Sequence, residues 1–387
     1  MYFKNATVLN DEFYFMQADV RVDNGIITSI HEPGGINEDP DETVDLNGLY
    51  LIPGFIDIHT HGALAADHLD GSHDATDKIC QYMASNGTTG ILATIMTQSK
   101  ENMLRACENT RKYQQNSGEN NRAHIWGVYL EGPFFTEKYK GAQHPDYLMD
   151  ADCAFFEQLQ TASGNMVKIV SLAPERLGSI EFIKQYKDKI NIFMGHTDSD
   201  YATATEAISA GARGLTHTYN GMRPLHHRQP GIIGAALSDE KIMCECICDG
   251  VHVHPGMIKL LYSCIGRERF IVISDSISPT GLTEGNYKSG GQDITVKDGT
   301  AYLCNPDGSC SDTIAGSTAT MLSGVQNLIK WEIMSRENAV YAATAAPAKA
   351  AGIYDKVGSI TPGKVADLLV MNKDMTLRNV YIGKNII

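Results

Sequence analysis

No apolar run in this 387-residue chain reaches the roughly 20 residues that a membrane-spanning helix needs, so no span is expected. Positive charge is scarce. Against 46 Asp and Glu stand 32 Lys and Arg, a net charge of −14. That balance disfavours bulk attraction to nucleic acid, and an anionic ligand would have to be held by a few local basic groups. The nine cysteines are odd in number and show no tight disulfide-like spacing, which fits reduced thiols in a cytoplasm. The opening MYFKNATVLNDEFYF lacks a basic stretch followed by an apolar one, so a secretory signal is not expected. Low-complexity segments and short repeats are also missing. With 43% apolar and 20% charged residues, the chain has the composition of a globular protein large enough for an enzyme domain and a small accessory one.

Eight apolar, β-branched runs lie in the middle of the chain: Phe55–His59, Thr89–Ile95, Ile125–Leu130, Val167–Leu172, Ile190–Met194, Gly214–His217, Ile242–Cys248 and Phe270–Ser274. Helix-like stretches such as Thr203–Ala210 and Met257–Cys264 separate them. Eight β/α units predict an α/β fold, a (β/α)8 barrel over residues 53–355, whose chemistry sits at the C-terminal ends of its strands. Residues 285–312 break the pattern. Gly290-Gly291, Asp298-Gly299 and Asp307-Gly308 punctuate two short strands, read as a hairpin insertion after the eighth strand. Strand-like segments recur at both ends of the chain. Asn24-Gly25 marks a hairpin turn near the start, and Asp367–Met371 and Leu377–Ile382 read as strands near the end. They predict one small β-sandwich domain assembled from residues 1–52 and 356–387.

The most informative segment is GFIDIHTHG (54–62), where His59 and His61 are two residues apart. A strand places residues i and i+2 on one face, so both imidazoles point the same way and form a bidentate claw for a divalent metal. Alone, such a pair is more often two ordinary histidines at a strand terminus. Here the other runs also end in imidazoles or acids: Glu131, His196, His217, Asp249 with His252, and Asp275. Four imidazoles (His59, His61, His196, His217) and Glu131, whose two oxygens can bridge, suffice for two divalent ions. Zinc, iron, manganese and cobalt all suit these donors. A metal lowers the pKa of its bound water to about 7, giving a hydroxide nucleophile. Asp275 beside that water would act as general base, then acid, and His144 or His252 could help polarise the carbonyl under attack. Cys244, Cys246 and Cys248 alternate along the seventh run and read as small buried hydrophobes rather than a soft-metal site. Asp57 reads as a hydrogen-bonding partner rather than a ligand. His226 and His254 read as loop residues.

With these residues in place, the chain resembles the amidohydrolase superfamily, and within it the amino-sugar-phosphate deacetylases, over nearly its whole length. The matching segments are PGFIDIHTHG (53–62), LEGPF (130–134), MGHTDSD (194–200), THTYNGMRPLHHRQPG (216–231), DGVHVHP (249–255), SDSISPTG (274–281), DTIAGSTATM (312–321) and GSITPGKVADLLVM (358–371). The resemblance implies that Glu131, His196 and His217 hold the main metal, His59 and His61 a second one, and that Asp275 is the catalytic acid/base. It implies that Asn220, the backbone at Gly221 and Arg228 hold a phosphate, with Arg228 reaching in from the other subunit of a homodimer; His227, beside Arg228, is a further candidate for that phosphate. It also implies that His252 contacts the sugar and that Ile314, Ala315 and Gly316 line the substrate site. Where many members carry Lys-Gly-Ala-His-x-Pro, this chain has Gln143 at the histidine position and His144 one place later, so both are candidates to face the substrate.

The activity so implied is metal-dependent hydrolysis of N-acetylglucosamine 6-phosphate to glucosamine 6-phosphate and acetate. Two alternatives stand beside it: a substrate such as N-acetylgalactosamine 6-phosphate or another acylamino sugar phosphate, and a non-catalytic binding protein on the same fold.

Overall fold

The computed structural model describes residues 1–35, 42–116, 121–305, 307–383 and 385–387. Its centre is a sheet of eight parallel strands arranged in chain order: β1 (Phe55–Thr60), β2 (Thr88–Met96), β3 (His124–Glu131), β4 (Val167–Leu172), β5 (Asn191–Met194), β6 (Gly214–Leu215), β7 (Met243–Ile247) and β8 (Phe270–Ile273). Every residue of β1, β2 and β8 is buried. Strands covered on both faces need continuous apolar sequence, which is why these runs stood out from the rest of the chain.

The ring closes just beyond β8. Asp275 donates its amide to the His59 carbonyl at 2.9 Å, the Ser276 carbonyl accepts from the His61 amide at 2.8 Å, and Thr60 bridges to Ser276 in parallel. Helices follow each strand, from His73–Ser85 after β1 to Met321–Lys330 after β8. Local sequence starts several of them. Asp152, Asp200 and Thr320 accept from the backbone amides of Phe155, Thr203 and Ser323, satisfying donors that a helix N-terminus leaves free.

The insertion after β8 has four antiparallel strands, Gly285–Ser289, Gln292–Lys297, Thr300–Cys304 and Cys310–Ile314, twice the expected number. Its buried face packs Ile294, Val296 and Ala301 against Ile277 and Ala315.

Both chain ends meet in one eight-stranded sheet. Along it run Asn385–Ile386, Leu377–Ile382, Leu368–Met371, Tyr50–Pro53, Tyr2–Leu9, Phe15–Asp23 and Ile26–His31, and Thr43–Asp45 pairs in parallel with Tyr2–Leu9. Tyr50–Pro53 lies antiparallel to Leu368–Met371. The Asn24-Gly25 turn has positive φ at both residues (51° and 76°), the geometry a two-residue hairpin requires. This sheet has its own core, including Phe3, Val8, Val20, Leu51, Leu368 and Tyr381.

Candidate metal centre

The C-terminal ends of β1, β3, β5, β6 and β8 bring six side chains together. His59 and His61 come from β1 and the residue after it, and Glu131 ends β3. His196, His217 and Asp275 each lie two residues beyond β5, β6 and β8. They form two adjacent groups, His59–His61–Asp275 and Glu131–His196–His217, with the ligand-type atoms of each group within 4.8 Å of one another. Glu131 stands between the groups. Its Oε1 is 3.0 Å from His196 Nε2, 3.1 Å from His217 Nε2 and 3.6 Å from His59 Nε2, while its Oε2 is 3.3 Å from His61 Nε2. Asp275 Oδ1 lies 3.5 Å from His59 Nε2 and 3.3 Å from His61 Nε2.

The rear of the site fixes which ring nitrogens face inward. His196 Nδ1 is 2.8 Å from the Tyr139 carbonyl, His217 Nδ1 is 3.1 Å from the Asn220 carbonyl, and His59 Nδ1 is 3.0 Å from Glu245 Oε2. Carbonyls and carboxylates only accept, so these Nδ1 atoms carry the protons and the Nε2 lone pairs point into the site. His196 Nε2 and His217 Nε2 face each other at 3.1 Å, and His59 Nε2 is buried with no hydrogen-bond partner among the described residues. Converging lone pairs of this kind are the donor set a divalent cation satisfies.

Charge points the same way. Glu131, Glu245 and Asp275 are all buried. Burial opposes ionisation of Glu131, but His196, His217 and His61 outweigh it and hold its carboxyl well below the usual range. Burial likewise opposes charge on His59, but Glu245 and Asp275 raise it to about 9. The centre therefore demands positive charge, which protons or a bound cation would provide.

Five of the six, all but the fully buried His59, open onto a cavity of about 320 Å³. Met96, Ile277, Ile294, Leu303 and Ile314 form its apolar wall, three of them on the inserted strands or their ends. Gln143, Asn220, Gly221, His252 and Ala315 also line it. Gln143 is fixed at both ends of its amide, donating to Glu131 Oε2 at 2.7 Å and accepting from the Thr97 amide at 3.0 Å. His252 Nδ1 is 2.7 Å from Asp249 Oδ2, leaving Nε2 as its free ring nitrogen. Gly221 has φ of +59°, and a Cβ there would stand 2.8 Å from His196 Nδ1, so only glycine fits behind that ring.

Three expected substrate contacts lie elsewhere in this chain. His144 opens the turn Pro145–Tyr147, where its Nδ1 takes the Asp146 amide and its ring packs on Tyr147. Gln143, not His144, therefore faces the centre. His227 and Arg228 sit exposed in a tight loop in which His226 Nδ1 accepts the Arg228 amide.

Asp57 accepts from the His59 and Ser274 amides and from Ser274 Oγ, tying β1 to β8. Sequence reasoning passed over Glu245. Its signal was a lone acid inside an apolar run, between Cys244 and Cys246.

Residues 50–386 match the family model described as the amidohydrolase family. N-acetylglucosamine-6-phosphate deacetylase from Bacillus subtilis (strain 168) is 39% identical over 328 residues, 84% of this chain and 81% of that protein. N-acetylgalactosamine-6-phosphate deacetylase from Escherichia coli O157:H7 is 31% identical over 97% of this chain and 96% of its own length. Among solved structures, a mutant N-acetyl-D-glucosamine-6-phosphate deacetylase from Mycobacterium smegmatis, in complex with N-acetyl-D-glucosamine-6-phosphate, superposes with a TM-score of 0.90. It is 28% identical, with 100% of this chain and 98% of that one covered.

Proposed function

This chain belongs to the amidohydrolase family, and from that premise we propose that it hydrolyses N-acetylglucosamine 6-phosphate to glucosamine 6-phosphate and acetate. The observation that carries this reading is the convergence of four imidazoles and Glu131 on one buried centre with Asp275 at its edge. In this reading Glu131, His196 and His217 would hold one divalent ion, and His59 and His61 would hold a second, with Glu131 lying between the two groups. Zinc, iron, manganese and cobalt all suit the donors. A divalent ion held there acidifies the water it binds and polarises an amide carbonyl.

The remaining steps belong to the chain. Asp275 accepts a proton from the water that attacks the acetamide carbonyl, then delivers it to the amine as the carbon–nitrogen bond breaks. Gln143 anchors Glu131, and His252, oriented by Asp249, meets the sugar. The apolar wall with Ile314 and Ala315 shields the acetyl group from bulk water. Asn220 and the Gly221 backbone receive the phosphate. Among the described residues that line the cavity there is no Lys or Arg. A dianion needs a cationic partner, and exposed Arg228 of a second subunit, with His227 beside it, would supply one in a homodimer. Residues 1–52 and 356–387 would form the accessory β domain and 53–355 the catalytic barrel, in a cytoplasmic enzyme.

Acetate release from N-acetylglucosamine 6-phosphate is the test, before and after chelation and with metal restored. Turnover lost on chelation and regained with metal is the expected outcome. Folded, metal-loaded protein that releases no acetate would overturn the assignment. The Escherichia coli relative favours a second substrate, N-acetylgalactosamine 6-phosphate, and parallel kcat/KM values on the two epimers decide between them.

A further inference from the structure

Glu245 is fully buried in the middle of β7, flanked by Cys244 and Cys246, and among the described residues no Lys or Arg forms a salt bridge with it. One of its oxygens does two things. Oε2 accepts from His59 Nδ1 at 3.0 Å and from the His217 backbone amide at 3.1 Å. The other, Oε1, is buried with no hydrogen-bond partner among the described residues. The Glu245 carbonyl also accepts from the Thr218 amide at 2.8 Å, so β7 grips the segment that carries His217 from both backbone and side chain. Burying a carboxylate with one oxygen unpaired costs stability, and a strand between two cysteines would be more stable with an apolar residue there. The side chain therefore does something other than fill the core.

We infer that Glu245 is a positioning residue that sets occupancy of the His59/His61 metal site, by holding His59 in the tautomer and orientation that present Nε2 to the ion. The inference rests on the two-ion reading above. A carboxylate on Nδ1 keeps the proton there, raises the basicity of Nε2 and stops the ring from turning. Glu131, His196 and His217 do not depend on this contact in the same way. His196 and His217 have their Nδ1 atoms held by the carbonyls of Tyr139 and Asn220, which a change at Glu245 leaves in place. His61 Nδ1 has no hydrogen-bond partner, so His59 is the more firmly held half of its pair. Losing its anchor would release the second ion while the first stays.

The experiment is a Co(II) titration of the chelator-stripped full-length protein, followed by visible absorption of the bound cobalt, on wild type and on Glu245→Gln. Wild type is expected to take up two equivalents. Glu245→Gln, whose amide oxygen can still accept from His59 Nδ1 and from the His217 amide, removes only the charge that makes His59 Nε2 more basic. It should bind its first equivalent as wild type does and its second about tenfold to a hundredfold more weakly. Glu245→Asp keeps the charge but withdraws it by one methylene from His59, and serves if the glutamine variant does not fold. The same loss at the second equivalent is expected for it.

Unchanged binding of both equivalents in the folded variants would overturn the inference. So would equal weakening of both together with a lowered Tm, which is the mark of a merely structural role. A wild-type protein that saturates at one equivalent would overturn it together with the two-ion reading. Wild type that binds two Co(II) ions but releases no acetate would count against the substrate assignment alone, because the titration reads the metal sites without turnover.

Discussion

Asp275, His196 and His217 all adopt positive φ, at 49°, 45° and 28°. Non-glycine residues in the left-handed region cost of order 1–3 kcal/mol each and persist where the surroundings over-determine them. The surroundings of Asp275 do so: its amide is bound to the His59 carbonyl and its own carbonyl accepts the Ser317 amide at 2.7 Å. Strain at three of the six converging residues marks where the barrel rim bends its backbone to aim side chains inward. Replacing Asp275 by Asn keeps the shape but removes the proton acceptor. We expect kcat to fall by about 10²–10⁴-fold with KM close to wild type, measured by acetate release on protein whose metal content is determined in parallel. An Asp275→Asn enzyme that retains full turnover would remove Asp275 from the proposed chemistry. At this scale the sequence was informative where a residue type at a strand end has few other uses, as with His59, His61 and Glu131. It was less informative for Gln143 and His144, because strand pattern says nothing about adjacent loop residues. The tight turn at Pro145 decides that Gln143 faces the centre. Glu245 was hidden by its neighbours, since a run judged by its apolar residues draws attention away from its one acid.

The element that most shapes the cavity is the inserted sheet, Gly285–Ile314 at its outer bounds. Its last strand leads into Gly316, which has φ of +50° and sits so close to β8 that a Cβ would stand 2.4 Å from Ile277 Cγ2 and 3.0 Å from the Asp275 carbonyl. Ser317 then clamps the same turn, donating its Oγ to the Ser274 carbonyl and pairing with Ser276. Gly316→Ala would push the insertion and the Asp275 turn apart. A misplacement of about 1 Å near reacting atoms can cost on the order of a hundredfold in rate, so we expect kcat to drop between tenfold and that figure while the Co(II) stoichiometry stays at the wild-type value. A fully active Gly316→Ala protein would show that the two segments move independently. The eight barrel strands were legible because burial on both faces demands unbroken apolar runs. The inserted sheet was expected to have two strands rather than four, because across Gly285–Ser289 and Cys310–Ile314 only Ser289 is buried, leaving no apolar run of the kind that marks the barrel strands. The three glycine-bearing turns nevertheless imply four strands when counted as connections between them.

For the whole molecule, the mismatch between a strongly acidic chain and an anionic substrate has to be resolved at the cavity mouth. If Arg228 of the partner subunit resolves it, Arg228→Ala and Asp275→Asn are each impaired alone. Mixed subunits should then recover about a quarter of wild-type activity, because half the dimers are hybrid and each hybrid carries one intact site. Hybrids demonstrated to form but without recovered turnover would place the phosphate contact within one chain. The barrel and a sheet built from both chain ends were legible in outline because each end of the sequence carries short strand-like segments, whereas the register that pairs Tyr50–Pro53 with Leu368–Met371 is a tertiary fact that no local pattern encodes. That pairing has a consequence for how the protein is made. Tyr50–Pro53 emerges from the ribosome with an open edge, and its partner Leu368–Met371 lies more than 300 residues further along. At about 5–20 residues per second, that edge waits on the order of a quarter of a minute to a minute before translation delivers the strand that covers it. The barrel's first strand begins only two residues after Pro53, so the start of the catalytic domain emerges beside an edge still open to other chains. A ribosome that stalls before Leu368–Met371 thus exposes a sheet edge as well as an unfinished enzyme.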